Sequence, residues 1–185
     1  MSFSELYADP RGGTVLFRMD VFHASRMTDP TIETARGALP DARADQILAF
    51  WSENGALHGD AARRRLRDVV CLLIDAQGAV AGVNSVYAAD VALVGGRRFW
   101  VYRALLPGAA AAHADAMLAT AFDALAGGFD PASDDPIGLC LLTTDVAEAR
   151  RRPEAEWERP RMVHAGFTPD GAVVRVGYFD GARIA

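Results

Sequence analysis

Residues 69–122 read VVCLLIDAQGAVAGVNSVYAADVALVGGRRFWVYRALLPGAAAAHADAMLATAF, and their pattern decides the fold. Val69 to Asp75 is an unbroken apolar run of strand length, and Ala76-Gln77-Gly78 has turn chemistry. A second strand spans Ala79 to Ala88, with an extension to Val94 left open. Gly95-Gly96 signals a hairpin, and Arg97 to Leu105 is a third strand carrying Phe99, Trp100, Val101 and Tyr102. The three strands form an antiparallel meander. Its central strands are apolar on both faces, so both faces are expected to be covered. At Pro107-Gly108 the period of the pattern changes. From Ala109 onward Ala110, Ala114, Met117, Leu118, Ala121, Phe122 and Leu125 form one helical stripe, which Gly127-Gly128 ends.

Upstream, Thr14 to Phe22 (TVLFRMDVF) reads as a strand and is followed by a polar stretch containing Pro30. Pro40 and Asp41 open a helix with Ala44, Ile47, Leu48 and Trp51 at helical spacing, stopped by Asn54-Gly55. A shorter helix starts at Gly59-Asp60 and runs through Arg67. Downstream of the acidic loop Asp130 to Asp135, Ile137 to Thr143 is another buried strand. Asp145 with Glu148 three residues on has the spacing of a capping box. Pro153 and Pro160 break the next stretch into helical pieces, the last running from Pro160 to Gly166. Ala172 to Phe179 is the final strand. The order is β-α-α-β-β-β-α-β-α-β, an α/β chain with a mixed sheet. The strands Arg97–Leu105 and Ile137–Thr143 flank a helix, so within one sheet they run parallel through a right-handed crossover.

The 185 residues suit a single domain, with residues 1–13 as a loosely packed N-terminal segment. Half the chain (51%) is hydrophobic, and a chain of this size buries roughly 70% of its unfolded surface, so disorder is disfavoured. The net charge of -5 argues against a nucleic-acid partner. All 19 basic residues are Arg. Without Lys there is no P-loop, no Schiff-base chemistry and no kinase strand lysine. Cys71 and Cys140 sit inside apolar runs, which implies free thiols and a reducing, cytoplasmic setting. No secretory leader pattern opens the sequence, and no apolar run approaches the roughly 18 residues of a membrane span, so no membrane association is expected.

The element order and three phrases resemble the GNAT superfamily of acyl-CoA-dependent N-acyltransferases. VVCLLIDAQGAVAGVNSVY looks like that family's two central strands. VYRALLPGAAAAHADAMLATAF is similar to the strand and helix start that hold coenzyme A there. MVHAGF before a strand is similar to the family's Tyr-Glu-Lys-x-Gly-Phe ending. The resemblance covers about Thr14 to Phe179 and implies acetyl-CoA as acyl donor and a small-molecule amine as acceptor, with no metal. It also has departures. The family's diphosphate loop reads Arg/Gln-x-x-Gly-x-Gly/Ala, whereas here Ala110 takes the arginine place and His113 and Asp115 lie near the glycine places. The family's general-acid Tyr aligns with Met162, and the final strand pair reads as one clear strand.

The candidate cofactor-binding residues are therefore Leu105, Leu106, Gly108, Ala109, Ala110, Ala111 and Ala112. Small residues at a helix start admit phosphate close to unpaired N–H groups, although Asp115 would repel it. Strand-end N–H groups near Leu105 are expected to polarise the thioester carbonyl. Tyr102 and Arg103 point to opposite faces of their strand. Tyr102 is a candidate general acid, with core packing and a satisfied hydroxyl as the alternative, and Arg103 a candidate for binding an acceptor carboxylate. Asp145 and Glu148 are candidate bases for the amine, with helix capping as the alternative. The Arg63, Arg64, Arg65 and Arg67 cluster reads as a solvated face, or as a border of the acceptor site. No His/Cys spacing suggests zinc. The reading is an N-acetyltransferase acting by direct attack in a ternary complex. Its alternative is a catalytically inactive GNAT-like binding module whose groove holds another ligand or is filled by Trp100 or Trp157. A homodimer is left open.

Overall fold

Asp75 makes the first turn of the meander. Its carboxylate accepts the N–H groups of Gln77 and Ala79 at 2.9 and 2.8 Å, and Gly78 supplies the left-handed φ of +81° that closes the turn. The computed structural model describes residues 30–37, 39–144 and 153–183. The strands are β1 (Thr31–Thr34), β2 (Val69–Ile74), β3 (Val80–Val91), β4 (Arg97–Leu105), β5 (Gly138–Thr143), β6 (Glu156–Glu158), β7 (Arg161–Phe167) and β8 (Val173–Tyr178). They form one sheet in the order β1-β2-β3-β4-β5-β8-β7-β6. Every neighbouring pair is antiparallel except β4 and β5, which run parallel as their helical connection requires.

Helices cover both faces. On one face α1 (Asp41–Glu53) and α2 (Gly59–Arg65) pack Ile47, Phe50, Trp51 and Ala62 against Val69, Leu72, Ile74 and Val83. On the other, α3 (Ala114–Ala126) packs Met117, Leu118, Ala121 and Leu125 against Val70, Cys71, Leu73, Val86, Tyr102 and Leu139. Each large side chain so buried contributes about 1.5–3 kcal/mol. A third cluster, Phe99, Val101, Cys140, Val174 and Val176, belongs to the face of α1 and α2 but lies under the second half of the sheet.

The mixed α/β sheet holds as read from the sequence, with local changes. Residues 156–167 are a hairpin of β6 and β7, not helical pieces. Pro160 stands in its turn, after a cis peptide bond from Arg159, instead of in a first helical turn. Trp157 and Met162 are buried between exposed neighbours, a period of two that suits strands. The last strand is therefore not alone, since β7 pairs along it. Thr31–Thr34, expected within a polar loop, is the edge strand β1. The helix expected from Ala109 begins as a 3-10 turn at Gly108–His113 and becomes α-helical at Ala114. The strand expected at Thr14–Phe22, and Asp145 with Glu148, lie outside the described residues.

Two glycines set how closely strands approach. A Cβ on Gly138 would strike the carbonyl of Gly177 and the Phe99 ring, and a Cβ on Gly177 would meet the Arg161 carbonyl at 2.7 Å and Phe122 at 2.8 Å. Backbone cannot yield as a side-chain tip can. Gly138→Ala and Gly177→Ala are each expected to cost about 1–3 kcal/mol or more, read as a lower urea midpoint, while Gly128→Ala is expected to cost less than about 1 kcal/mol by the same measure.

Both cysteines are free and buried. Burial pushes their thiols from 9.0 up to about 12. Below the unfolded value both states keep the proton. Between 9.0 and about 12 only the unfolded chain ionises, so these thiols lower stability as pH rises through that window. A Cys71→Ala/Cys140→Ala variant is expected to be less stable at neutral pH yet to show a flatter alkaline loss in denaturant titrations. In the folded wild-type protein a thiol reagent should label neither cysteine.

Candidate functional site

The parallel pairing of β4 with β5 is short. Trp100 faces Leu139, Val101 faces Cys140 and Tyr102 faces Leu141, and there the register ends. Yet β4 continues to Leu105 and β5 to Thr143. The backbone phase says which groups are left facing each other. Phe179 N–H donates to Ile137 C=O at 3.0 Å, in line with the β5–β8 register. Ile137, just before β5, keeps its N–H on Arg98 C=O of β4 at 2.9 Å; from there alternation turns Leu139 and Leu141 toward β8, and Gly138, Cys140 and Leu142 toward β4. Cys140, opposite Val101, engages the flanking Trp100 and Tyr102. By the same alternation the N–H and C=O of Ala104 are directed at β5, while those of Arg103 and Leu105 are directed at β3. A continued ladder would join Ala104 N–H to Leu142 C=O, and the pairing stops one step before it.

This refines the expectation for Leu105. Leu105 is paired with Val83 of β3, so the strand-end donor aimed into the opening is the N–H of Ala104. The side chains of Ala104, Leu141, Leu142 and Thr143 around the opening are half-buried. Leu106 lies on the α3 side, packed over Gly82, where a Cβ would collide with it.

Tyr102 and Arg103 do point to opposite faces. Tyr102 enters the core under α3, 6% exposed. Its hydroxyl is buried and has no hydrogen-bond partner among the described residues. Burial, then the neighbouring Cys71 and Asp115, push its pKa far above the usual phenol range. Arg103 faces the other way, buried beside Ser85, with its guanidinium 4.0 Å above the ring of Tyr87.

The small-residue junction is divided. Gly108 and Ala112 are exposed, Ala109 and Ala111 are half-buried, and Ala110 is turned into the α3 core at 2% exposure. Ala110 N–H is already bonded to Pro107 C=O at 3.1 Å. Asp115 is exposed in the first turn of α3, where a carboxylate favours the helix dipole and opposes a bound anion. Met162 is fully buried in β7. In the arginine cluster Arg63 pairs with Asp60 at 3.3 Å, and Arg65 and Arg67 approach Asp68 at 3.8 and 3.7 Å. Trp100 lies in the paired part of β4 under the guanidinium of Arg36, 4.9 Å from its ring, and Trp157 is stacked 4.3 Å beneath Arg175 of β8. Among the described residues no group of three His, Cys, Asp or Glu side chains is placed to hold a metal, and no helix is long and apolar enough to cross a membrane.

No family model and no curated protein sequence matches the chain. Among solved structures, an acetyltransferase of the GNAT family from Streptococcus pneumoniae is similar, with a TM-score of 0.52 at 13% sequence identity. The match covers 82% of this chain and 99% of that one. At that identity the likeness speaks for the fold, and this chain has a GNAT-like fold.

The sequence reading missed Ala104, because a motif of side chains does not show which peptide groups a strand leaves open. The phenol offers a direct test. Tyr102→Phe removes a buried, unpartnered hydroxyl whose desolvation costs about 1–3 kcal/mol. The variant is expected to match or exceed the wild-type protein in thermal denaturation. It is also expected to keep any acyl-transfer rate within about threefold, whereas loss of a general acid would cost roughly 100- to 10,000-fold.

Proposed function

We propose that this protein is an acyl-CoA-dependent N-acyltransferase that moves an acyl group, acetyl in the simplest case, from coenzyme A to a small amine. The observation that carries the reading is the early end of the β4–β5 pairing beside the small-residue start of the α3 segment. Two parallel strands that part expose backbone donors and acceptors to an extended, amide-containing chain, which can be held as an added strand would be. Acetyl-CoA has such an arm. The donor's thioester carbonyl would accept from Ala104 N–H, a fixed dipole aimed where negative charge develops. Leu105, Leu106, Gly108, Ala109, Ala111 and Ala112 would border the arm and the diphosphate, with Ala110 supporting them from the core. The amine attacks the thioester carbon directly. The C–S bond breaks, coenzyme A leaves as a thiolate, and the amine loses its proton to Asp145, Glu148 or a bound water. With Tyr102 closed into the core, protonation of the thiolate falls to solvent.

Arg103 stands on the face opposite α3, which suits an acceptor approaching from the side away from the donor, and its charge favours an acceptor with an acidic group. Free, buried thiols suit a reducing cytoplasm.

The second reading, a GNAT-like binding module without catalysis, is favoured by specific observations. Ala110 replaces the loop arginine and is buried, Met162 replaces the tyrosine and is buried, and Asp115 opposes a diphosphate.

Calorimetric titration with acetyl-CoA, and with coenzyme A in parallel, separates them. The acyltransferase reading predicts micromolar binding of both and turnover with at least one amine of a broad panel. Binding without turnover supports the module, and no binding up to millimolar ligand overturns the proposal.

A further inference from the structure

Asn84 is an anomaly of the core. It stands in β3 beside Ser85 with 0% exposure, and its Oδ1 has no hydrogen-bond partner among the described residues. Burying an amide in this way is costly, so what its nitrogen does matters. Asn84 Nδ2 donates to the carbonyl oxygen of Arg103 at 3.0 Å and lies 3.4 Å from that of Ser85. Both neighbours are acceptors, so only the nitrogen end can face them.

The carbonyl of Arg103 and the N–H of Ala104 belong to one planar peptide unit and point in opposite directions across it. One end of that unit faces β3, where Arg103 is paired with Ser85 and Asn84 adds a side-chain donor. The other is the donor aimed into the opening between β4 and β5. We propose that Asn84 is a positioning residue for the acyl-transfer site. By adding a second donor to the Arg103 carbonyl, beside the β3 ladder, it further constrains the 103–104 peptide and polarises it, so that Ala104 N–H is a better and better-aimed donor to a thioester oxygen. Asn84 itself touches neither substrate. The inference rests on the acyltransferase reading for its consequence, but not for the tie between Asn84 and the peptide.

The test uses the full chain with Asn84→Leu, which keeps the size and removes the donor. In amide-resolved NMR of the folded variant, the Ala104 proton should move upfield, whereas Leu125→Ala, a core truncation at the far end of α3, should leave it in place. In turnover, kcat should fall about tenfold with little change in the KM for acetyl-CoA, less than the roughly 100- to 1,000-fold that loss of an oxyanion donor itself costs. If Asn84→Leu does not fold, Asn84→Thr and Asn84→Val, alike in shape, take its place, and only the hydroxyl-bearing variant should keep kcat and the Ala104 shift near wild type. An unmoved Ala104 signal in a folded donor-less variant overturns the proposal, as does an unchanged kcat. A moved signal in a protein whose wild type transfers no acyl group instead overturns the acyltransferase reading and leaves the tie standing.

Discussion

Parallel strands stay joined only while each peptide group on one finds its complement on the other. In this protein β4 and β5 keep that match for three residue pairs and then lose it. The character of the opening is set by where the loss falls. β4 remains bound along its whole length to β3, and β5 remains bound along its whole length to β8. The opening is therefore a seam between two well-paired half-sheets, not a frayed end. Its walls are paired on their outer sides, and on their inner sides no further β4–β5 pairing occurs among the described residues. On the proposed function, such a seam would take an extended ligand without rebuilding the fold.

The packing serves the same feature. On the half carrying β1 to β4, α1 and α2 cover one face and α3 the other. On the half carrying β5 to β8, close backbone approach at Gly138 and Gly177 brings the strands tightly together, and Trp157 with Met162 close the α3 side in strand conformation. Several buried polar groups lie near the seam, while Arg65 on α2 and Thr168 in the β7–β8 turn lie elsewhere. Tyr102, Arg103 and Asn84 lie on β3 and β4 within two register steps of the last β4–β5 pair. Buried polar groups are expensive in a core, and their gathering there fits a seam that does more than hold strands.

Much of this was legible in the sequence. The Gly95-Gly96 hairpin and the change of period at Pro107-Gly108 gave β4 its boundaries and the α3 segment its start, because turn chemistry and burial pattern agree there. The hairpin at 156–167 was not legible. Proline is equally at home in a first helical turn and in a tight turn between strands, and strand β6 is too short to show a period. At the site, the opposite faces of Tyr102 and Arg103 followed from strand alternation, but which one lay in the core under α3 did not. Neither did the placement of Asn84 and the direction of Ala104 N–H, since a peptide group's direction depends on pairing with β3 and β5, not on its own side chain.

Hydrogen exchange at the backbone amides tests the central claim most directly, because it reads the pairing of β4 residue by residue. Slow exchange is expected at Tyr102, Arg103 and Leu105, which are held by neighbouring strands. Ala104 alone among them should exchange fast, and should slow when acetyl-CoA is added. Strong protection of Ala104 in the free protein would mean that β4 and β5 remain joined past Tyr102, and would contradict an open seam.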